Sequence, residues 1–180
     1  VIDGALFQGN AGSGVTFTGI FGCTNPIIRN CEFKDNAENG LIVALCHGIT
    51  IENIVFDTHT ASNRAILDIF AAASTEITIK NIEFRDALVG SSNWCLYVHS
   101  SVAGPVIING VDILTTDSGG IFIDPNDVKI SNVNIENSTG TNSSTIAGAR
   151  TIIRNWTQDG VAGGLTISSA DVDIDGFNSK

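Results

Sequence analysis

Apolar and polar residues alternate in short bursts along this chain, and the bursts recur. ITIENIVF (49–56) and ITIKNIEF (77–84) are nearly the same eight residues, 28 positions apart. VIDGALF (1–7), IIRNCEF (27–33), VIINGVDI (106–113), VKISNVNI (128–135) and VDIDGFN (172–178) share their form, and TIIRNWTQ (151–158) follows it more loosely. Apolar residues alternate up to an anchor that is always Asn or Gly: Gly4, Asn30, Asn53, Asn81, Gly110, Asn132, Asn155 and Gly176. Alternation of period two predicts strands with one buried face. It restarts out of phase after each anchor, which puts a corner there. A tight corner needs φ > 0, which Gly adopts freely and Asn next most easily.

Steps of 21–29 residues between anchors predict a solenoid. A second apolar stretch lies between anchors: VTFTGIF (15–21), LIVAL (41–45), AILDIF (65–70), CLYVHS (95–100), GGIFID (119–124) and LTISS (165–169). Each repeat thus holds about three short strands, and no stretch has helical periodicity. The expected fold is all-β: a single-stranded right-handed parallel β-helix of about seven coils, with residues 1–180 as one domain. At ~4.8 Å per stacked strand, seven turns stand roughly 34 Å tall. Phe33, Phe56 and Phe84 each lie three residues after an anchor and are expected to stack inside, with Ile113 and Ile135 continuing the column. Both ends of the sequence fall abruptly within the repeat, so the chain is expected to be a segment of a longer protein or to be covered by partner chains.

Charge narrows the partners. With 9 Lys+Arg against 19 Asp+Glu the net charge is −10, which disfavours nucleic acid and anionic membranes. No apolar run approaches the ~20 residues of a spanning helix. The four cysteines, Cys23, Cys31, Cys46 and Cys95, include no CxxC pair, so zinc is not expected. Cys23 and Cys46 are expected to stack on adjacent turns, where neighbouring strands bring Cα atoms near disulfide range.

With its Asn/Gly corners at coil-length spacing, the chain resembles the pectate-lyase-like superfamily of right-handed β-helices, and within it the phage tailspike and tail-fibre type. The resemblance implies a ladder of corner asparagines, each bonded to the next. Asn30, Asn53 and Asn81 form one run, Asn132 and Asn155 another, with a break at Gly110. Asn155 also opens an Asn-Trp-Thr sequon and is expected to be buried in the ladder. The resemblance further implies a groove for long carbohydrates along the second strand set. IDPND (123–127) shares Asp-Pro with the alginate-epimerase motif but lacks its His and Glu. The polygalacturonase-type motifs are absent. No acidic triplet marks a calcium site, so no cofactor is expected, with calcium as the weaker alternative.

Aligning the second strands by their apolar positions puts Val43, Leu67, Leu96 and Ile121 in one inward column, and Leu45, Ile69, Val98 and Ile123 in another. The outward columns are then Ala44, Asp68, Tyr97, Phe122 and, beside them, Cys46, Phe70, His99, Asp124. Asp68, His99 and Asp124 are the candidate catalytic groups, because glycoside hydrolysis needs paired carboxyls and a proton shuttle. Tyr97, Phe122, Phe70 and Trp94 are candidate sugar-stacking rings. His59, Arg64 and Arg85, in the long connections 57–64 and 85–94, are expected to overhang the same groove. The functional expectation is a viral tailspike or tail-fibre segment on a virion surface or outside the cell. It would be homotrimeric and bind a cell-surface polysaccharide, with depolymerisation as a further step. A fragment of a secreted polysaccharide lyase or hydrolase, or a non-catalytic adhesive β-helix, are the alternatives.

Overall fold

The computed structural model describes residues 1–59, 65–70, 76–87, 94–116, 120–138, 144–160, 164–168 and 170–179; for 17–23, 45, 87, 115–116 and 137–138 it describes the backbone only. The described residues are all strand, turn and loop. They form two parallel sheets that face each other across one core. The corner sheet contains β1 (Ile2–Asp3) and β2 (Leu6–Gln8), then β4 (Ile27–Lys34), β6 (Ile49–Asp57), β8 (Ile77–Ala87), β10 (Val106–Thr116), β12 (Val128–Ser138), β14 (Thr151–Asp159) and β16 (Val172–Ser179). The second sheet stacks β3 (Val15–Thr24), β5 (Leu41–His47), β7 (Ala65–Phe70), β9 (Trp94–Val98), β11 (Ile121–Ile123), β13 (Ser144–Ile146) and β15 (Leu165–Ile167). The architecture is a parallel β-solenoid of about six turns, against the seven read from the anchors. The corner strands stack through seven steps, but only seven strands stand opposite them, so six turns are closed.

The repeated octapeptide occupies the same place in each coil. In β6 the burial pattern alternates up to Asn53, breaks at that exposed residue and resumes in the opposite phase. Asn53 has φ 55°, and all eight anchors have positive φ. Isoleucines two residues before each anchor form one inward column: Ile28, Ile51, Ile79, Ile108, Ile130 and Ile153, all in register and buried. Three residues after the anchors, Phe7, Phe33, Phe56 and Phe84 stack with centroids 4.9, 5.1 and 5.0 Å apart, and Ile113 and Ile135 extend the column. Offset ring stacks of this spacing add about 0.5–1.5 kcal/mol each beyond the area they bury.

The anchors are the middle of three columns of left-handed residues. Five residues after an anchor, Gly9, Asp35, Thr58, Asp86 and Gly160 have positive φ; five residues before one, Asn25, Gly48, Asp127, Arg150 and Asp171 do too. In β4, β6 and β14, where all three bends are present, the corner strand is a pair of four-residue straight pieces between left-handed bends. The ladder does not stop at the bends. Gly4 N donates to Arg29 O (3.2 Å), Gly9 N to Lys34 O (3.1 Å), Asp35 N to Asp57 O (3.1 Å) and Thr58 N to Arg85 O (3.1 Å). A β-branched residue such as Thr58 at φ 51° is strained by about 1–3 kcal/mol, and this cross-turn bond holds it there.

The asparagine ladder forms, but at the surface. Asn53 Nδ2 donates to Asn30 Oδ1, Asn81 Nδ2 to Asn53 Oδ1 and Asn155 Nδ2 to Asn132 Oδ1, each at 3.0 Å. Asn155 is exposed, contrary to the buried position expected from the sequence. Gly110 interrupts the side-chain run, as expected: Asn81 donates to Asn53, and a second run begins one residue before the glycine. The side chain before it, Asn109, accepts from Asn132 Nδ2 at 2.7 Å. Asp3 does the same beside Gly4, accepting from Asn30 Nδ2 at 2.8 Å and from Arg29. Asn30 and Arg29 together hold the Asp3 carboxyl below the usual carboxylate range.

Outside the sheet, charges alternate in sign from turn to turn. Asp3, Arg29, Glu52 and Lys80 share one column; Lys34, Asp57 and Arg85 share another. Arg29–Asp3 and Lys34–Asp57 close to 2.8 Å. Exposed pairs of this kind contribute little stability, but alternation avoids stacking like charges one strand apart. At the far end Ile174 and Phe177 are 44% and 45% exposed, and with Leu165 and Ile167 they line an apolar hollow of about 240 Å³.

Asn53 serves both as a left-handed residue and as donor and acceptor in the ladder. Asn53→Ala is expected to destabilise by about 2–3 kcal/mol, combining left-handed strain with lost side-chain bonds. Asn53→Gly keeps the bend and should lose only about half as much. Thermal unfolding of both variants checks the order, in which glycine is milder than alanine.

Candidate functional site

The second sheet is short-stranded and presents its outer face between the connections that lead to and from the corner sheet. Its register sets which side chains meet there. Asp68 pairs with Tyr97, and Tyr97 with Phe122, in one outward column. Backbone bonds from His99 N to Ile69 O and Asp124 N to Val98 O, each 3.0 Å, carry the register one residue past the strands. Phe70, His99 and Asp124 thereby form the adjacent outward column. One strand is shifted from the alignment expected from sequence. Leu41, not Val43, stands opposite Leu67, and Val43 stands opposite Ile69, so Ile42 rather than Ala44 lies next to Asp68. Ala44 lies next to Phe70.

Four rings run together across this face. Trp94 meets Phe122 at 5.1 Å, Phe122 meets Tyr97 at 4.9 Å and Tyr97 meets His99 at 5.2 Å, all tilted or edge-on. Trp94, Tyr97 and His99 project from β9 or its end, and Phe122 from β11. All four are partly exposed. Phe70, one turn earlier, is 37% exposed. The rigid strands beneath hold this surface in place: Cys95, Leu96 and Val98 of β9 are fully buried.

The carboxyls are less well matched to hydrolysis. Asp68 is only 4% exposed, because β7 is covered on both faces up to Phe70. Asp124 is partly exposed. Two strand spacings and two residues place their Cα atoms roughly 12 Å apart, which exceeds the ~6.5–9.5 Å carboxyl separation of an inverting pair. His99 and Asp124 are neighbours, one turn apart in the same column. The His99 Nδ1 atom is buried and has no hydrogen-bond partner among the described residues. No cluster of three His, Cys, Asp or Glu side chains placed to hold a metal occurs among the described residues.

Two of the three residues assigned to the long connections, Arg85 and His59, lie elsewhere. Arg85 lies in β8 on the corner sheet, in register with Asp57, and both its Nε and Nη2 donate to Glu83 at 2.6 and 2.7 Å. The strand runs on to Ala87 through the left-handed bend at Asp86, so Arg85 is not part of an overhanging loop. Arg64 lies outside the described residues. Cys23 and Cys46 are in register, as expected for adjacent turns.

His59 is inside the coil and fully buried. It follows the bend at Thr58, six residues after its anchor, and packs edge-on to Phe56 at 5.9 Å. Its Nε2 donates to Phe33 O at 3.0 Å, and Nδ1 has no partner among the described residues. One turn earlier Asn36 holds the same place, donating to Phe7 O at 3.1 Å and accepting from Asn10 Nδ2 at 2.7 Å. Asn10, Asn36 and His59 thus hold the same place on successive turns, Asn36 and His59 buried and Asn10 exposed. The recurrence of Asn, Asn and His six residues after successive anchors is the sequence signal for it.

No family model matches the sequence, and no curated protein does. Among solved structures, the chain is similar to the crystal structure of the Agl-KA catalytic domain, at 17% identity and a TM-score of 0.36. The match covers 97% of this chain and 40% of that one, so this chain spans less than half of that structure's length.

Burial pushes the His59 imidazole below its ordinary value of 6.5; the Phe33 and Glu38 backbone and the Asp35 and Asp57 carboxylates pull the other way and are outweighed. Stability from the neutral ring is present above pH 6.5 and is lost as the pH falls from there through the lowered folded value. His59→Asn, which restores the residue type of the preceding turn, should flatten Tm against pH in this window. Equal slopes for the two proteins would show that His59 does not set the dependence.

Proposed function

We propose that this chain is a carbohydrate-binding segment of a viral tailspike or tail fibre, and that the outer face of the second sheet is its groove. The observation that carries the binding reading is the run of Trp94, Phe122, Tyr97 and His99. Partly exposed rings on adjacent rigid turns offer apolar faces to the C–H faces of sugars, with polar tips for hydroxyls. The columns repeat along the solenoid axis, which suits an extended chain better than a compact ligand. What supports the tailspike reading is the irregular coil length, 21–29 residues, together with the absence of secreted-lyase motifs.

A second reading is a polysaccharide hydrolase or lyase, favoured by one feature: His99 and Asp124 sit on adjacent turns of one outward column, where they can relay a proton. Asp68 then serves as a buried support and not as the second reacting carboxyl.

Affinity electrophoresis against a panel of surface polysaccharides tests the groove. Trp94→Ala and Tyr97→Ala are each expected to weaken binding about tenfold or more, as for aromatic anchors elsewhere, with the fold intact by circular dichroism. Unchanged mobility shifts in both variants would remove the groove from consideration. Cleavage is read separately as new reducing ends, and Asp124→Asn is expected to abolish any cleavage while binding persists. Light scattering after size exclusion is expected to give three times the chain mass of 18.9 kDa; a monomer would count against the spike assembly for this segment.

A further inference from the structure

Three of the eight corners are glycines, and each follows an Asp or Asn: Asp3-Gly4, Asn109-Gly110 and Asp175-Gly176. At the first, the Asp3 carboxylate accepts from Asn30 Nδ2 at 2.8 Å and pairs with Arg29, its in-register neighbour. At the second, Asn109 Oδ1 accepts from Asn132 Nδ2 at 2.7 Å and from Ser131 Oγ at 3.1 Å. Its in-register neighbour on the preceding turn is Lys80. The column that holds these residues runs Asp3, Arg29, Glu52, Lys80, Asn109. An acid at 109 continues its alternation of sign and repeats the Asp3–Arg29 pairing.

Asn-Gly is also the dipeptide best suited to lose its amide without an enzyme, because glycine places no side chain beside the attacking nitrogen. The Gly110 nitrogen attacks Cγ of Asn109. The bond from Cγ to Nδ2 breaks, and the amide leaves as ammonia with the proton from Gly110 N. Water then opens the cyclic imide. Cleavage between Cγ and the Gly110 nitrogen gives aspartate and the original backbone; cleavage at the main-chain carbonyl gives isoaspartate. Charge develops on Oδ1 during the attack, where Asn132 and Ser131 already donate. Asn109 is exposed, so water reaches it. A second Asn-Gly, Asn39-Gly40, is held shut. Asn39 is 2% exposed, its Nδ2 donates to Ala65 O, and Gly40 N donates to Ile66 O at 2.9 Å. Gly110 occupies the bend position at which Gly4 N donates to Arg29 O at 3.2 Å. Attack there waits on local opening of the coil, so the folded chain reacts more slowly than the same segment unfolded.

We propose that Asn109 is a self-modification site, which converts to aspartate in the folded chain, and that the new carboxylate pairs with Lys80. Isoaspartate adds a backbone atom to β10 between two strands in register with it, so aspartate is the product the ladder accommodates. The test ages the full chain at mildly alkaline pH, folded and in denaturant, and locates the amide-to-acid gain in mass by tandem mass spectrometry. In denaturant both Asn39 and Asn109 are expected to convert. In the folded chain Asn109 is expected to convert at least about tenfold faster than Asn39, which needs a larger opening. Comparable folded rates at the two sites, or no conversion of folded Asn109 while the denatured control goes to completion, overturns the proposal. Asn109→Asp stands for the product. Its Tm is expected to exceed the parent's by roughly 1–3 °C, as for one exposed ion pair in a chain of this size, and Lys80→Ala should cancel the rise. No rise, or a rise that survives Lys80→Ala, overturns the pairing with Lys80.

Discussion

Everything in this molecule depends on keeping parallel strands in register from one turn to the next. A flat strand cannot close a coil, and a bend that interrupted the ladder would leave buried amides without partners, each at a cost of about 1–3 kcal/mol. The chain meets both demands with single left-handed residues. At Gly4, Gly9, Asp35 and Thr58 the backbone turns the corner while its N–H still reaches the carbonyl of the next turn. The five-residue spacing of these bends fixes the shape of one wall. Once that is set, the Ile and Phe columns fall into line because their positions relative to each bend are the same in every coil.

The constraint on bends also explains why the fold could be read from sequence. Few residue types tolerate φ > 0, so the anchors stand out as a column of Asn and Gly. The flanking columns were harder to see because they include Thr58, Asp86 and Arg150, which are ordinary surface types elsewhere. Their left-handed form is imposed by stacking on neighbouring turns and is not announced by propensity. The start of the second side-chain run was hidden for a similar reason: beside Gly110 the bonding group sits one residue back, at Asn109, where no corner signal marks it.

The candidate site was legible where polar residues mark the phase of a strand, and illegible where they do not. Asp68 and Tyr97 locate the outward face of β7 and β9, and the structure places them side by side. In β5 the run LIVAL has no polar residue to give its phase, and the alignment slipped by two. His59 reads as a surface residue by type, yet it belongs to a wall position whose need is a hydrogen-bond donor, met by Asn36 in the turn before. Arg85 reads as part of a loop because its strand continues past the expected corner and bends a second time at Asp86.

The ladder of backbone bonds points along the solenoid axis, through straight pieces and bends alike. A load pulling the two ends apart along that axis is shared by all the bonds of a coil at once. A sideways pull on the last coil opens them one by one, since each coil touches only its neighbours. The molecule is therefore a strut in one direction and a zipper in the other. Its resistance to tension is set by the weakest whole coil, and its resistance to peeling by the single bond at the edge.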